Sequence, residues 1–195
     1  MKRAQRFVME GVAIAALLSL LLVSCQQPEV TAPADSPAVV SPLAKVDVTP
    51  RLYVLGVVPD VEGPDIAAAS DGATITIVGS GTLIPMPKSV TGSGTFVHKN
   101  SSGAVLATGT WTATQLITFV SYGTLPAPDE NLEGGKANIR IHLTPSSGGG
   151  GLDGVLQVHC LLGSFPAGVD EGIRLNVQGG PNFNREVHGE TVFIK

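Results

Sequence analysis

Arginine, histidine and amide side chains recur at alternate positions in three late segments, 137–143, 156–160 and 173–178. The residues are Arg140, His142, Gln157, His159, Arg174 and Asn176. If short loops join these segments as hairpins, the six side chains share one face, with Arg140 near His159 and His159 near Asn176. Guanidinium groups bind carboxylates and phosphates, and imidazoles donate or accept hydrogen bonds. The pattern therefore predicts a polar strip suited to an anionic or hydroxyl-rich ligand.

The same strip has a plainer interpretation as the hydrated outer face of a half-buried sheet, because antiparallel sheets usually keep one solvated face.

The motifs of other chemistries are missing from the sequence. The sequence contains no GxSxG, HxH or HExxH motif, and the carboxylate pairs Asp129-Glu130 and Asp170-Glu171 are adjacent in loops, where neighbouring side chains diverge. The sequence therefore predicts no catalytic residue, no metal site and no cofactor.

Two single residues have both an ordinary and a functional interpretation. Cys160 falls on the apolar phase of its segment, which predicts a small buried side chain rather than a reactive thiol. Trp111 is the only tryptophan. It could stack against a sugar, but its alternation with Ala113 favours a role as a core anchor.

The first 24 residues carry three basic side chains and then an apolar stretch from Val12 to Val23. This is typical of a secretory signal and is short for a bilayer span. The following Leu22-Val23-Ser24-Cys25 resembles the bacterial lipobox. The resemblance implies cleavage before Cys25, lipidation of its sulfur and attachment to the cell membrane or the outer membrane. The alternative is a plain signal peptide with an incidental cysteine.

Residues 25–50 follow as the lipidated cysteine and a Pro/Ala-rich linker with five prolines. Such a composition predicts an extended spacer with no core of its own. The chain from residue 51 to residue 195 then forms the predicted β domain.

Period-two alternation dominates this domain and predicts strands. An apolar run covers 52–58, and candidate strands cover 73–85, 90–98, 104–108, 110–121, 136–144, 154–162, 172–178 and 190–194. One helical turn is predicted at 66–69, and 182–186 is predicted to be a polar loop. About eight consecutive strands favour an all-β fold, an antiparallel β-barrel or a barrel-like β-sandwich. The phrase GSGT, at 79–82 and 92–95, predicts two strands that bend at glycines.

The net formal charge of the chain argues against one class of function. Without residues 1–24 the chain keeps 9 basic and 15 acidic residues, a formal charge of −6, which argues against nucleic-acid binding. The leading hypothesis is a non-catalytic lipoprotein, anchored through Cys25, whose extracytoplasmic domain binds a small molecule, glycan or envelope partner. Short strands, glycine bends and one tryptophan also resemble lipocalin and allene-oxide-cyclase-like barrels. That resemblance implies an alternative, an isomerase or cyclase using the Arg/His strip.

Overall fold

The computed structural model describes residues 46–56 and 63–195, all of which belong to one compact unit, Ala44–Lys195. The predicted signal segment, Cys25 and the linker up to residue 45 lie outside the described residues. The described part contains eleven strands: β1 (Arg51–Leu55), β2 (Asp65–Ala68), β3 (Thr74–Ile84), β4 (Ser89–Lys99), β5 (Val105–Thr124), β6 (Leu132–Pro145), β7 (Leu152–Cys160), β8 (Gly172–Val177), β9 (Asn182–Phe183), β10 (Arg185–His188) and β11 (Thr191–Ile194).

All the strand pairings are antiparallel, and the order β3-β4-β5-β6 forms a central sheet. The two outer strands of this sheet are joined by a second route: β1 pairs with β3, β11 pairs with β6, and β1 and β11 pair with each other. Backbone pairing therefore runs in a closed circuit through these six strands. Outside this circuit, β2 pairs with β3 and β10 pairs with β2. On the other side, β7 pairs with β6, β8 with β7, and β9 with β8. The prediction of an all-β, antiparallel, barrel-like or sandwich fold is confirmed.

The two GSGT segments pair with each other across the β3–β4 hairpin, so that glycine meets glycine at Gly79–Gly94 and Gly81–Gly92. Two buried aromatic rings occupy the space that side chains would need. A Cβ on Gly94 would lie 2.7 Å from the indole nitrogen of Trp111, and a Cβ on Gly81 would lie 2.5 Å from the Tyr53 hydroxyl. Glycine is required here for close approach of the rings.

The same two rings are anchored by hydrogen bonds. Trp111 Nε1 donates to the Val78 carbonyl at 3.0 Å, and the Tyr53 hydroxyl donates to the Thr91 carbonyl at 2.9 Å. Trp111 is fully buried, which confirms its prediction as a core anchor. Cys160 is also fully buried, as predicted, and burial raises the pKa of its thiol to about 11.

Three local predictions are wrong, each because long-range pairing outweighed a local signal. Residues 66–69 do not form a helical turn, because β2 pairs with β3 and buries Ala67 and Ala68. The segments 104–108 and 110–121 form one strand, since Gly109 pairs with both Phe96 and Pro145 instead of turning. The predicted loop 182–186 contributes to β9 and β10, which pair with β8 and β2.

The end of the predicted linker contacts the domain through Arg51, whose guanidinium is fully buried. Arg51 Nε donates to Glu133 Oε2 at 2.7 Å, and Arg51 Nη1 donates to Asp47 Oδ1 at 3.0 Å. The guanidinium also lies over the Phe119 ring, 5.2 Å from its centroid. A charge buried this completely is tolerated because both carboxylates and the ring compensate for its lost hydration.

Candidate functional site

The six residues of the predicted polar strip do lie on one face of β6, β7 and β8, but their register differs from the prediction. Arg140 is opposite Val155, not His159, and Asn176 is also opposite Val155. His159 instead pairs with Lys136 and Gly172. Both hairpins are shifted by four residues, because the β6–β7 turn closes on the pair Leu143–Leu152 and the β7–β8 connection closes on the pair His159–Gly172. An even shift keeps every side chain on its predicted face while separating the expected neighbours.

This shift divides the strip into separate groups. Arg140 and Asn176 are exposed and line a shallow pocket of about 200 Å³ together with Asp153. His142 is half-exposed, and its Nδ1 lies 2.8 Å from Asp153 Oδ1. These contacts are typical of a hydrated sheet face.

The middle of the strip is a chain of side-chain hydrogen bonds across β7, β6 and β5. Gln157 Nε2 donates to Asn138 Oδ1 at 2.9 Å, and Asn138 Nδ2 donates to Thr118 Oγ1 at 2.7 Å. Both amides are therefore engaged within the sheet.

His159 and Arg174 belong to a different group, which we call the buried polar cluster: Asp65, His159, Arg174 and Glu186. The Glu186 side chain is only 3% exposed. Its Oε1 lies 2.6 Å from Arg174 Nε and 3.5 Å from His159 Nδ1. The Arg174 contact has ion-pair distance but not the direction of a hydrogen bond, so neither Glu186 oxygen has a hydrogen-bond partner among the described residues.

Asp65 lies at the start of β2 and is fully buried. Within residues 46–56 and 63–195, neither of its carboxylate oxygens has a hydrogen-bond partner. It packs closely on the β10–β11 turn, where a Cβ on Gly189 would overlap its Oδ1. Burial, together with the charges of Glu171 and Glu190, raises the pKa of Asp65 to about 8. Asp65 is therefore protonated in most molecules at neutral pH.

The His159 ring is the second titratable group of the cluster. Burial lowers its pKa, and the charges of Lys136 and Arg174 act in the same direction. Its Nδ1 lies 3.3 Å from the Asp170 carbonyl, while its Nε2 has no hydrogen-bond partner in the described part of the chain. His159 is thus a buried imidazole whose charged form is disfavoured by its withdrawal from water.

A cavity of about 470 Å³ opens beside the cluster, between the start of β8 and the β10–β11 turn. We call it the acidic cleft. Four of its seven lining residues are carboxylates, and among the described residues no lysine or arginine lines it. The lining residues are Asp170, Glu171, Glu186, Val187, His188, Gly189 and Glu190. Glu171 is half-buried, and this burial raises the pKa of its carboxyl. Asp170 and Glu171, an adjacent loop pair whose side chains were expected to diverge, both line this cavity.

Sequence reasoning missed the two carboxylates of the cluster itself. Asp65 and Glu186 lay in segments predicted to be irregular. Glu186 reaches His159, and Asp65 becomes buried, only through pairing between strands far apart in sequence. Asp65 directly precedes the continuous apolar run Ile66–Ala69, which does not alternate and therefore could not assign the Asp65 side chain to a face.

In the described residues, no group of three or more histidine, cysteine, aspartate or glutamate side chains is arranged to hold a metal ion. No helix within residues 46–56 and 63–195 is both long and apolar enough to cross a bilayer.

A scan against protein-family models, a search of curated proteins and a search of solved structures each found no match. The fold and the site define only a class, an antiparallel β domain with an acidic cleft beside buried, incompletely hydrogen-bonded acid and base groups.

Proposed function

We propose that this chain is a lipid-anchored extracytoplasmic protein whose β domain binds a small molecule in the acidic cleft without catalysing a reaction. The observation that carries the proposal is the buried polar cluster beside the cleft. All six buried side-chain atoms that lack a hydrogen-bond partner in the described residues belong to Asp65, His159, Arg174 and Glu186.

Part of this cluster is compensated internally, because Arg174 Nε and Glu186 Oε1 form an ion pair at 2.6 Å. The groups left without a partner among the described residues are the Asp65 carboxyl, His159 Nε2 and Glu186 Oε2, and each such buried group destabilises a fold by about 1–3 kcal/mol. A fold retains them where a bound molecule or a function compensates. The cleft has a volume of about 470 Å³, which is within the range of small-molecule sites, and it is as open to solvent as the shallow pocket at Arg140. Glu186 belongs both to the cluster and to the cleft wall, so the cluster and the cleft are adjacent.

Binding in the cleft is tested by NMR on the isotopically labelled full chain in detergent micelles. The ligands are a library of small amines, sugars, carboxylates and neutral aromatics. We expect at least one class to shift the backbone amides of Gly189 and Glu190. Val187→Trp should fill the cleft and abolish the shifts, because Val187 lines it and is half-exposed. Val120→Trp, at a similarly exposed valine outside the cleft, should retain them. Persistence of the shifts in Val187→Trp, or no shift with any class, would contradict the proposal.

The anchoring part of the proposal depends on Cys25 and is tested independently. Mass spectrometry of the protein purified from membranes should find Cys25 as an acylated first residue, because several acyl chains are needed for stable anchoring. The Cys25→Ala chain should lack this modification. An unmodified Cys25 in the natural product would reject lipid anchoring and leave the cleft proposal intact.

One observation favours a second function, an isomerase or cyclase. Asp65 has a raised pKa and His159 a lowered one, and groups with opposite shifts can act as an acid and a base. Binding alone is the stronger proposal, because Asp65 lies behind Gly189 and does not line the cleft. Recovery of a bound ligand in an isomerised form, lost in His159→Gln, would favour the enzyme.

A further inference from the structure

A second cavity of about 460 Å³ adjoins the acidic cleft, between the start of β6 and the strand β11. We call it the apolar pocket. Its lining residues are Leu132, Leu162, Glu171, Glu190, Thr191, Val192 and Ile194. Four of the seven are aliphatic, and the two carboxylates, Glu171 and Glu190, are the same two that line the acidic cleft. The two cavities therefore meet at Glu171 and Glu190.

The charges at this junction are not neutralised by nearby cations. Neither carboxylate takes part in an ion pair in the described part of the chain. Glu190 is exposed, Glu171 is half-buried, and both charges act on the buried Asp65. The basic group of the neighbouring cluster, Arg174, is already in contact with Glu186. A ligand cation is the group that would compensate Glu171 and Glu190.

The buried polar cluster gives a second, independent indication of a ligand. Glu186 is 3% exposed, lines the acidic cleft, and has an Oε2 with no hydrogen-bond partner among the described residues. Glu186 lines the acidic cleft but not the apolar pocket. The two cavities thus share the junction carboxylates and differ in the rest of their lining, which is mainly acidic in the cleft and mainly aliphatic in the pocket.

We propose that the occupant is a small organic ammonium with an apolar body. The ammonium group lies between Glu171 and Glu190, and the apolar body packs against Leu132, Leu162 and Val192. This assignment rests on the proposed binding function and names its ligand class. An aliphatic wall favours burial of hydrocarbon, and paired carboxylates select a cation over a neutral or anionic group of equal size.

The test compares three probes at pH 7: 2-phenylethylammonium, the neutral 2-phenylethanol with the same apolar body, and ethylammonium with the same charged group. Dissociation constants come from NMR titrations that follow the amides of Gly189 and Val192 in the full chain. We expect 2-phenylethylammonium to bind at least about tenfold more tightly than either partial probe, equivalent to about 1.4 kcal/mol.

Charge-removing variants test the assignment at the residue level. Glu190→Gln should weaken 2-phenylethylammonium about five- to tenfold and leave 2-phenylethanol unchanged. Because Glu190 is exposed, the variant is expected to fold, which a dispersed amide spectrum verifies. Glu171→Gln should act in the same direction. Glu130→Gln, an exposed glutamate in the loop before β6, is the matched control and should change neither affinity.

The outcomes separate the two proposals. Equal affinity for the alcohol and the ammonium, or unchanged ammonium binding in both glutamine variants, would overturn the ligand assignment. If the ammonium shifts no cleft amide but another class in the library does, the ligand assignment fails and the binding function stands. If no class shifts these amides, both fail.

Discussion

Replacing Asp65 by asparagine should stabilise the protein at alkaline pH. The side chain keeps its shape in this variant but can no longer ionise. In the wild-type chain the carboxyl is fully buried and, among the described residues, has no hydrogen-bond partner for its charged form. Ionising it therefore means placing an uncompensated charge in the interior, close to Glu171 and Glu190.

The magnitude follows from the pKa of Asp65, which is about 8 in the folded chain against an ordinary value of 3.8. Because the folded-state pKa is the higher one, protonation stabilises the fold. This stabilisation is complete below pH 3.8 and is lost as the pH rises to about 8. At about 1.4 kcal/mol for each pH unit, Asp65 should cost the wild type about 2 kcal/mol between pH 6.5 and pH 9, and on the order of 5 kcal/mol between pH 4 and pH 9.

The assay is urea denaturation of the wild type and Asp65→Asn from pH 4 to pH 9. The difference in unfolding free energy between the two removes groups that both share, such as His159, whose lowered pKa acts in the opposite direction below pH 6.5. Asp65→Asn should gain relative to the wild type with rising pH, and the difference should level off above pH 8. Asp129→Asn, at an exposed loop aspartate, should show no such trend. A difference that is constant with pH would refute the reasoning.

Two further predictions concern the positions that hold the strands together, both measured by urea denaturation. Gly94→Ala should destabilise the fold by about 2–3 kcal/mol, because its Cβ would press on the Val78 carbonyl and the indole beneath it. Gly150→Ala, with open space around the new methyl, should stay within about 0.5 kcal/mol, and equal losses in the two variants would contradict the explanation. Glu133→Gln should cost about 3 kcal/mol, because it leaves a buried guanidinium with one carboxylate fewer. A loss no larger than that of Glu130→Gln would show that the buried pair contributes little.

The period-two pattern determined much of the fold without reference to any distant residue. In 137–143 and 173–178 the apolar residues identified both the strand and its buried face, as Ile139, Ile141, Ile173 and Leu175 demonstrate. The burial of Trp111 and Cys160 followed from the same phase. These features are local, because successive side chains of a strand point to opposite faces whatever the strand pairs with.

The pairing register of these strands could not be predicted from the local sequence pattern. The face carrying Arg140, His159 and Asn176 was predicted correctly, but a shift of an even number of residues preserves the face and changes every neighbour. The length and conformation of the turns decide that shift, and a glycine-rich turn such as 146–151 is compatible with several closures.

The sequence by itself thus determined an antiparallel β domain with known buried faces, following a segment that resembles a lipoprotein signal. The tertiary structure alone brought Glu186 of β10 to His159 of β7 and buried Asp65 of β2 against the β10–β11 turn. Each of these side chains has an ordinary local context. Their pKa shifts and missing hydrogen bonds arise only when strands from distant parts of the chain exclude water together, which is a property of packing and not of any single segment.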